Sequence, residues 1–400
     1  MRVLFISDVY FPRVNGVSTS IRTFRTDLAR LGVETVLVAP QYPAQSRDIE
    51  PGIVRVASRG VPRDPEDRYM PWRRVQDSLS RLRQQRFDLV HIHTPFVAQY
   101  AGVRFARAAG IPVIATYHTF FEEYLHHYVP VLPRRIGRAL ARHVTRSQCA
   151  QLDGLVAPSQ PMRQLLLDYG VETPVEVIPT GLPPDRYRRG DSERFRAVHD
   201  VPRGRPLLLY VGRVAHEKNI GFLLQSFAVL RQARPDALLV IAGEGPAREA
   251  LAGQCRQMGL TRDVRFIGYL DREQGLADCY AAADVFVFAS RTETQGLVLL
   301  EAMAQGCAVV STAELGTASV LQPGCGARIC PEETEPFARA ALDLIEDPQR
   351  RERAASMAKL YARGWSSEIM ARRMMEFYRR ICGVESLHRA SREPRLARTA

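Results

Sequence analysis

The 400-residue chain exceeds the size of one ordinary hydrophobic core and is expected to fold as two domains. Its apolar fraction of 46% is ordinary for a soluble globular protein, and no uncharged apolar run reaches the roughly 18 residues of a transmembrane helix. The net charge of +12 is almost entirely arginine, since Lys218 and Lys359 are the only lysines; nucleic acid would suit it, but no recognisable nucleic-acid module is present, and an anionic membrane surface suits it as well.

The N-terminal run MRVLFISD reads as a first strand, not as a signal peptide. Further strands are expected at 35–39, 53–56, 89–93, 113–117, 154–158 and 175–179, with helical patterns between them at 18–31 and 97–109. The pattern pauses over 180–205, rich in Pro, Gly and charge, and the domain boundary is placed there. A second series follows at 207–211, 237–242, 264–267, 285–288, 308–311 and 327–329, with helices at 220–231 and 337–344. A last helix over 366–381 spaces Met370, Met374, Met375, Tyr378 and Ile381 on one side, and the basic stretch 385–400 is expected to be disordered. Continuous Val/Ile/Leu strands alternating with helices imply an α/β architecture of two doubly wound, Rossmann-like domains, with ligand held at the carboxyl ends of strands in the cleft they face. The cysteines are seven, scattered and without a CxxC pair, which reads as reduced core thiols in the cytosol.

In the first half, His118 stands at the end of the strand 113–117, where it can position or polarise a substrate hydroxyl or be a core histidine bonded to backbone. Glu122, Glu123, Tyr124 and His127 follow as a dense polar and aromatic group, either on the acceptor side of a site or supporting a loop. Next, Arg134, Arg138, Arg142 and Arg146 recur every fourth residue, with Ile136, Leu140 and Val144 on another face. This basic amphipathic helix suits an anionic bilayer, though a surface helix with its arginines in water has the same pattern. Trp72, beside Arg73 and Arg74, extends that basic face or anchors a helix.

In the second half, Arg213 and Lys218 lie five residues apart in GRVAHEKN, where both can meet one diphosphate or simply face solvent. Gly243 and Gly245 permit close backbone approach, but Arg248 breaks the G-x-G-x-x-G spacing of nicotinamide enzymes. The strongest pattern is ETQGLVLLEAMAQG. Glu293 lies just before an apolar helix and Glu301 in its second turn, with the backbone N–H groups of Gln295, Gly296 and Leu297 between them. A phosphate on those N–H groups and hydroxyls on the carboxylates describe a nucleotide sugar. A hydrolytic carboxylate pair is disfavoured because phosphate-type basic loops accompany it.

The ordered set NGVSTSIRTFRTDLARLG, GRVAHEKN, AGEGP and E-x7-E resembles glycosyltransferase family 4, of the GT-B fold, over about residues 1–382. The run TYHTFFEEYLHHY resembles, more narrowly, the diacylglycerol glucosyltransferases of that family. The resemblance implies an acceptor-binding domain over 1–180, with the helix 366–382 packed back on it, and a nucleotide-sugar domain over 181–365. Arg213 and Lys218 would hold the diphosphate, Glu301 the ribose, and Glu293 the donor sugar, with Gly243 in the donor site. Gly16 would let backbone approach the donor phosphate, although Asn15 stands where the family often has another glycine. Transfer would retain configuration and need no metal or other cofactor. His118, Glu293, Arg213 and Lys218 would form the catalytic set. The expected reaction moves a hexose, glucose above all, from a UDP-sugar to a lipid acceptor such as 1,2-diacylglycerol. The expected location is cytoplasmic, peripheral on the inner membrane's cytoplasmic face. The alternatives are a GDP- or UDP-sugar-dependent mannosyl- or hexosyltransferase making polysaccharide or another glycolipid, a nucleotide-sugar epimerase and a non-enzymatic sensor.

Overall fold

The computed structural model describes residues 1–43, 50–61, 64–118, 134–272 and 274–392. The chain divides into two compact units, Met1–Thr180 together with the chain from Glu368 onward, and Gly181–Ser367.

The first unit contains β1 (Arg2–Ile6), α1 (Gly16–Arg30), β2 (Glu34–Gln41), β3 (Ile53–Ala57), β4 (Arg59–Val61), β5 (Asp64–Tyr69) and α2 (Trp72–Leu82). It continues through β6 (Leu89–Ile92), α3 (Val97–Ala109), β7 (Val113–Thr116), α4 (Arg134–Cys149), β8 (Gly154–Ala157), α5 (Gln160–Asp168) and β9 (Val175–Val177). Among the described residues, seven strands form a parallel sheet ordered β3-β2-β1-β6-β7-β8-β9, and β4 and β5 form a separate antiparallel pair. The strands are apolar on both faces because helices cover both. Residues of β1 alternate accordingly: Leu4 and Ile6 join a core with Val75, Leu79 and Phe105 of α2 and α3, while Val3 and Phe5 join one with Ile21 and Phe24 of α1.

The second unit contains α6 (Ser192–Val198), β10 (Leu207–Val211), α7 (Ile220–Ala233), β11 (Leu238–Ala242), α8 (Arg248–Gln257), β12 (Val264–Gly268) and α9 (Gly275–Ala282). There follow β13 (Val285–Phe288), α10 (Leu297–Ala304), β14 (Ala308–Ser311), α11 (Thr317–Val320), β15 (Arg328–Ile329), α12 (Thr334–Glu346) and α13 (Pro348–Ala362). Among the described residues its parallel sheet has the order β12-β11-β10-β13-β14-β15. The Pro- and Gly-rich stretch at the expected boundary is not a bare linker. It holds a 3₁₀ turn, Pro184–Tyr187, and α6, whose Phe195 is buried in the second core. Buried Gln305 fastens it, donating from Nε2 to the carbonyls of Arg186 at 2.6 Å and Arg188 at 2.7 Å.

The final helix, α14 (Ser367–Arg392), returns Met370, Met374, Phe377 and Tyr378 to the core that contains Val3 and Phe5. Each such burial contributes about 1.5–3 kcal/mol. Of the stretch 385–400, expected to be disordered, the part through Arg392 is helical and 393–400 lie outside the described residues. No Gly or Pro interrupts it between Gly383 and Pro394, so helix propagation continues past the apolar stripe. Among the described residues no helix is long and apolar enough to cross a membrane.

Candidate active site

The second sheet reverses its winding between β10 and β13, and open α/β sheets bind ligands at the carboxyl ends of strands beside such a point. The loop after β10 carries Arg213 and Lys218, and the loop after β13 carries Glu293. They meet there: Lys218 Nζ lies 2.6 Å from Glu293 Oε1, and both side chains are mostly buried. Arg213 is partly buried, with a looser approach of 4.0 Å to Glu217. A 3₁₀ turn, His216–Lys218, shapes the loop, and Asn219 ends it in the left-handed region at φ 58°, which Asn tolerates better than most residues. Beneath it, Tyr210 donates its hydroxyl to the Arg213 carbonyl at 3.0 Å.

Gly243 follows β11 at φ 141°, and a Cβ there would come within 1.9 Å of the Gly212 carbonyl oxygen. Its glycine is thus required by close packing of two strand-end loops, whatever ligand it meets. Gly296, at φ 93°, is the N-cap of α10, and no side chain caps that helix. Leu297 opens the helix, and Gln295 beside it is buried. The apolar helix carries Glu301 into the interior, where it is 4% exposed. Its Oε1 accepts from Arg272 Nη2 at 2.6 Å and its Oε2 from the Tyr280 hydroxyl at 3.2 Å. Neither partner is legible in the E-x7-E pattern: Arg272 precedes α9 and Tyr280 lies within it.

In the first unit the winding reverses between β1 and β6. Asp8 follows β1 and is buried. Its carboxylate accepts from the Thr94 hydroxyl at 2.8 Å and the Ala98 N–H at 3.1 Å, which caps α3 from outside the helix. Burial raises its pKa from 3.8 to about 6 despite these bonds. His91 of β6 and His93, the residue just after that strand, have rings 4.1 Å apart, and His93 Nδ1 lies 3.3 Å from Nε2 of the partly buried His118. Burial pushes His91 and His93 well below the ordinary imidazole range, with neighbouring imidazoles adding to it, and lowers His118 to about 3. Asp8 and His93 were missed in the sequence; the alternation His91-x-His93 at the end of a buried strand was the available signal. Gly16 opens α1, and a Cβ there would meet nothing within 4 Å. Asn15, in place of a second glycine, caps α1 by accepting from the Ser18 N–H at 2.8 Å.

Two family patterns cover most of the chain: Glycosyltransferase Family 4 matches residues 14–186, and Glycosyl transferases group 1 matches residues 191–361. The alpha-monoglucosyldiacylglycerol synthase of Streptococcus pneumoniae is 32% identical over 385 residues, covering 94% of this chain and 85% of that protein. The chain belongs to glycosyltransferase family 4. This makes it an enzyme of a family of retaining hexosyltransferases. A GDP-mannose-dependent alpha-mannosyltransferase of Mycolicibacterium smegmatis is 29% identical, covering 98% of the glycosyltransferase and 100% of the relative. Among solved structures, Anabaena HepE in complex with UDP and glucose superposes with a TM-score of 0.76 at 17% identity, over 94% of this chain and 99% of that one. That likeness places the glycosyltransferase in the GT-B fold.

The basic helix of the glycosyltransferase is α4. It buries Ala141, Thr145, Gln148 and Cys149 toward the unit, with Gln148 Nε2 donating to the Pro95 carbonyl at 2.8 Å. Ile136 and Leu140 instead remain 57% and 45% exposed, alongside exposed Arg138 and Arg142. Arg142 also lies over the Tyr169 ring at 5.2 Å. Trp72 is exposed at the start of α2, beside exposed Arg73 and Arg74. Glu122, Glu123, Tyr124 and His127 lie outside the described residues, as does the side chain of Arg134.

Proposed function

We propose that this enzyme moves glucose, or a similar hexose, from a UDP-sugar to 1,2-diacylglycerol at an anionic membrane surface, as a peripheral protein on the cytoplasmic face. The similarity to a monoglucosyldiacylglycerol synthase along nearly the whole chain carries this reading. The exposed Ile136 and Leu140 beside Arg138 and Arg142 support it, because apolar side chains flanked by cations suit the boundary between headgroups and acyl chains.

In this reading Arg213 and Lys218 stabilise the negative charge that develops on the leaving diphosphate, the work a metal ion does in other transferases. The first-turn N–H groups of α10 add a partial positive charge at Gln295–Leu297. Glu301 accepts the ribose hydroxyls; a carboxylate has about four acceptor positions, so it can keep Arg272 and Tyr280 as partners. Glu293 contacts the donor sugar, and His118 meets a substrate hydroxyl as a neutral imidazole. The departing phosphate oxygen takes the acceptor's proton on the face it leaves, which retains configuration.

The test is incubation of the purified chain with radiolabelled UDP-glucose and vesicles containing diacylglycerol and anionic lipid. Label in the organic phase supports the reading; none with any diacylglycerol-containing vesicle removes it. The full-length similarity to a GDP-mannose-dependent mannosyltransferase favours a second reading, in which GDP-mannose is the donor and the product stays in the aqueous phase or on another lipid.

A further inference from the structure

His93 is a buried group with no part in the reaction as written above. It follows the apolar strand β6 directly, at 1% exposure, its ring 4.7 Å from that of Phe5 and 4.1 Å from that of His91. Its Nδ1 faces His118 Nε2 at 3.3 Å, and among the described residues its Nε2 has no hydrogen-bond partner. A buried polar atom left unmatched costs about 1–3 kcal/mol. An aromatic hydrocarbon ring would fill this place without that cost, so packing alone does not call for an imidazole here.

We propose that His93 is a positioning residue for His118: its Nδ1–H donates to His118 Nε2, fixing the tautomer in which His118 holds its proton on Nδ1 and offers it to a hydroxyl oxygen of the substrate. The proposal rests on His118 meeting substrate, as stated above.

Two tautomeric arrangements satisfy the contact. If His118 were the donor, His93 would carry its proton on Nε2, a buried N–H without an acceptor among the described residues, which is the rarer state in folded proteins. With His93 as donor, the unmatched nitrogen is a lone pair. Both rings are neutral, because burial lowers His93 well below the imidazole range and His118 to about 3. A neutral imidazole has one donor and one acceptor nitrogen, so fixing one nitrogen of His118 fixes the other. His91 backs the stack and is itself held at both nitrogens, Nδ1 by the Tyr378 hydroxyl and Nε2 by Thr116 Oγ1, each at 2.7 Å. His93 is therefore packed on a ring that cannot turn without breaking buried hydrogen bonds.

The experiment compares His93→Phe, His93→Asn and His118→Ala in the full chain, with UDP-glucose and diacylglycerol vesicles, alongside imidazole ¹⁵N spectra. Asparagine sets its amide where Nδ1 stands, whereas phenylalanine keeps a ring and has no donor. The expected result is a kcat lowered about 10-fold or more in His93→Phe with the KM for UDP-glucose unchanged, and substantial recovery in His93→Asn. In the unsubstituted protein, His118 Nε2 should give the signal of an unprotonated nitrogen, and in His93→Phe that signal should move toward a tautomer mixture. Wild-type kcat in His93→Phe beside an inactive His118→Ala overturns the proposal and leaves the reading of His118 standing. Full activity of His118→Ala overturns that reading itself. If His93→Phe does not fold, the spectrum of the unsubstituted protein decides, and a proton on His118 Nε2 overturns the proposal.

Discussion

Lys218 and Glu293 form an ion pair of 2.6 Å that joins the loops after β10 and β13, the two strands between which the second sheet reverses its winding. The pair sets the ammonium at the place where an open α/β sheet binds its ligand. It also means that a diphosphate arriving there must share Lys218 with a carboxylate. Removing Lys218 with an alanine substitution is expected to lower kcat about 100-fold, the scale of one lost electrostatic contact to a leaving group. Glu293→Gln frees the ammonium. It is expected to leave UDP affinity unchanged or tighter while transfer falls. Titration calorimetry with UDP, run beside the turnover assay, separates the two effects, and weaker UDP binding in Glu293→Gln would count against the assigned roles.

Glu301 is held on both oxygens, by Arg272 and by Tyr280. Glu301→Ala is expected to weaken UDP binding by about 1–3 kcal/mol through two lost ribose bonds. It should also lower the melting temperature, since it strips a mostly buried arginine of its charge partner. Arg272→Ala/Glu301→Ala should recover part of that stability without recovering UDP affinity. Unchanged UDP affinity in Glu301→Ala removes the ribose assignment.

Replacing Arg134, Arg138 and Arg142 by Ser should reduce binding to anionic vesicles by about 1 kcal/mol per side chain at low salt. The difference should shrink as salt rises. Ile136→Ser with Leu140→Ser should also weaken binding, but independently of salt. Vesicle sedimentation measures both, and equal binding in all variants would make α4 a purely structural helix.

Burial of the Asp8 carboxyl makes folding stability depend on pH. The carboxyl is raised from 3.8 to about 6, so the folded chain holds this proton more tightly than the unfolded one. Its contribution favours folding below about pH 4 and is lost as pH rises through 6, a span worth roughly 3 kcal/mol. Asp8→Asn does not titrate. The stability of Asp8→Asn relative to the natural chain should therefore rise between pH 5 and pH 7, as read by thermal melting at the two values. A constant difference across that range contradicts the assignment.

The fold was legible because its strands are buried on both faces and read as unbroken apolar runs, such as LLLYV over Leu207–Val211. The hairpin of β4 and β5 was not, since DPEDRY has none of the apolar alternation that marks a strand. The sequence of α4 is amphipathic, but only its packing shows that Ala141 and Thr145 face inward while Ile136 and Leu140 stay exposed. At the candidate site, Arg213, Lys218, Glu293 and Glu301 stand on local motifs, whereas the partners brought in from distant segments carry no local mark. Asp8 reaches the N-terminus of α3 across 90 residues of sequence, and Arg272 reaches Glu301 across 29. Such pairings follow from strand order, which a single sequence does not print.

The most direct test of the central claim offers the purified chain UDP-glucose and GDP-mannose in equal amounts, with anionic vesicles made with and without diacylglycerol, and identifies the extracted products by mass. The account predicts hexosyl-diacylglycerol formed from UDP-glucose, and only where diacylglycerol is present. Binding of UDP without any glycosylated lipid, or transfer from GDP-mannose alone, would contradict it.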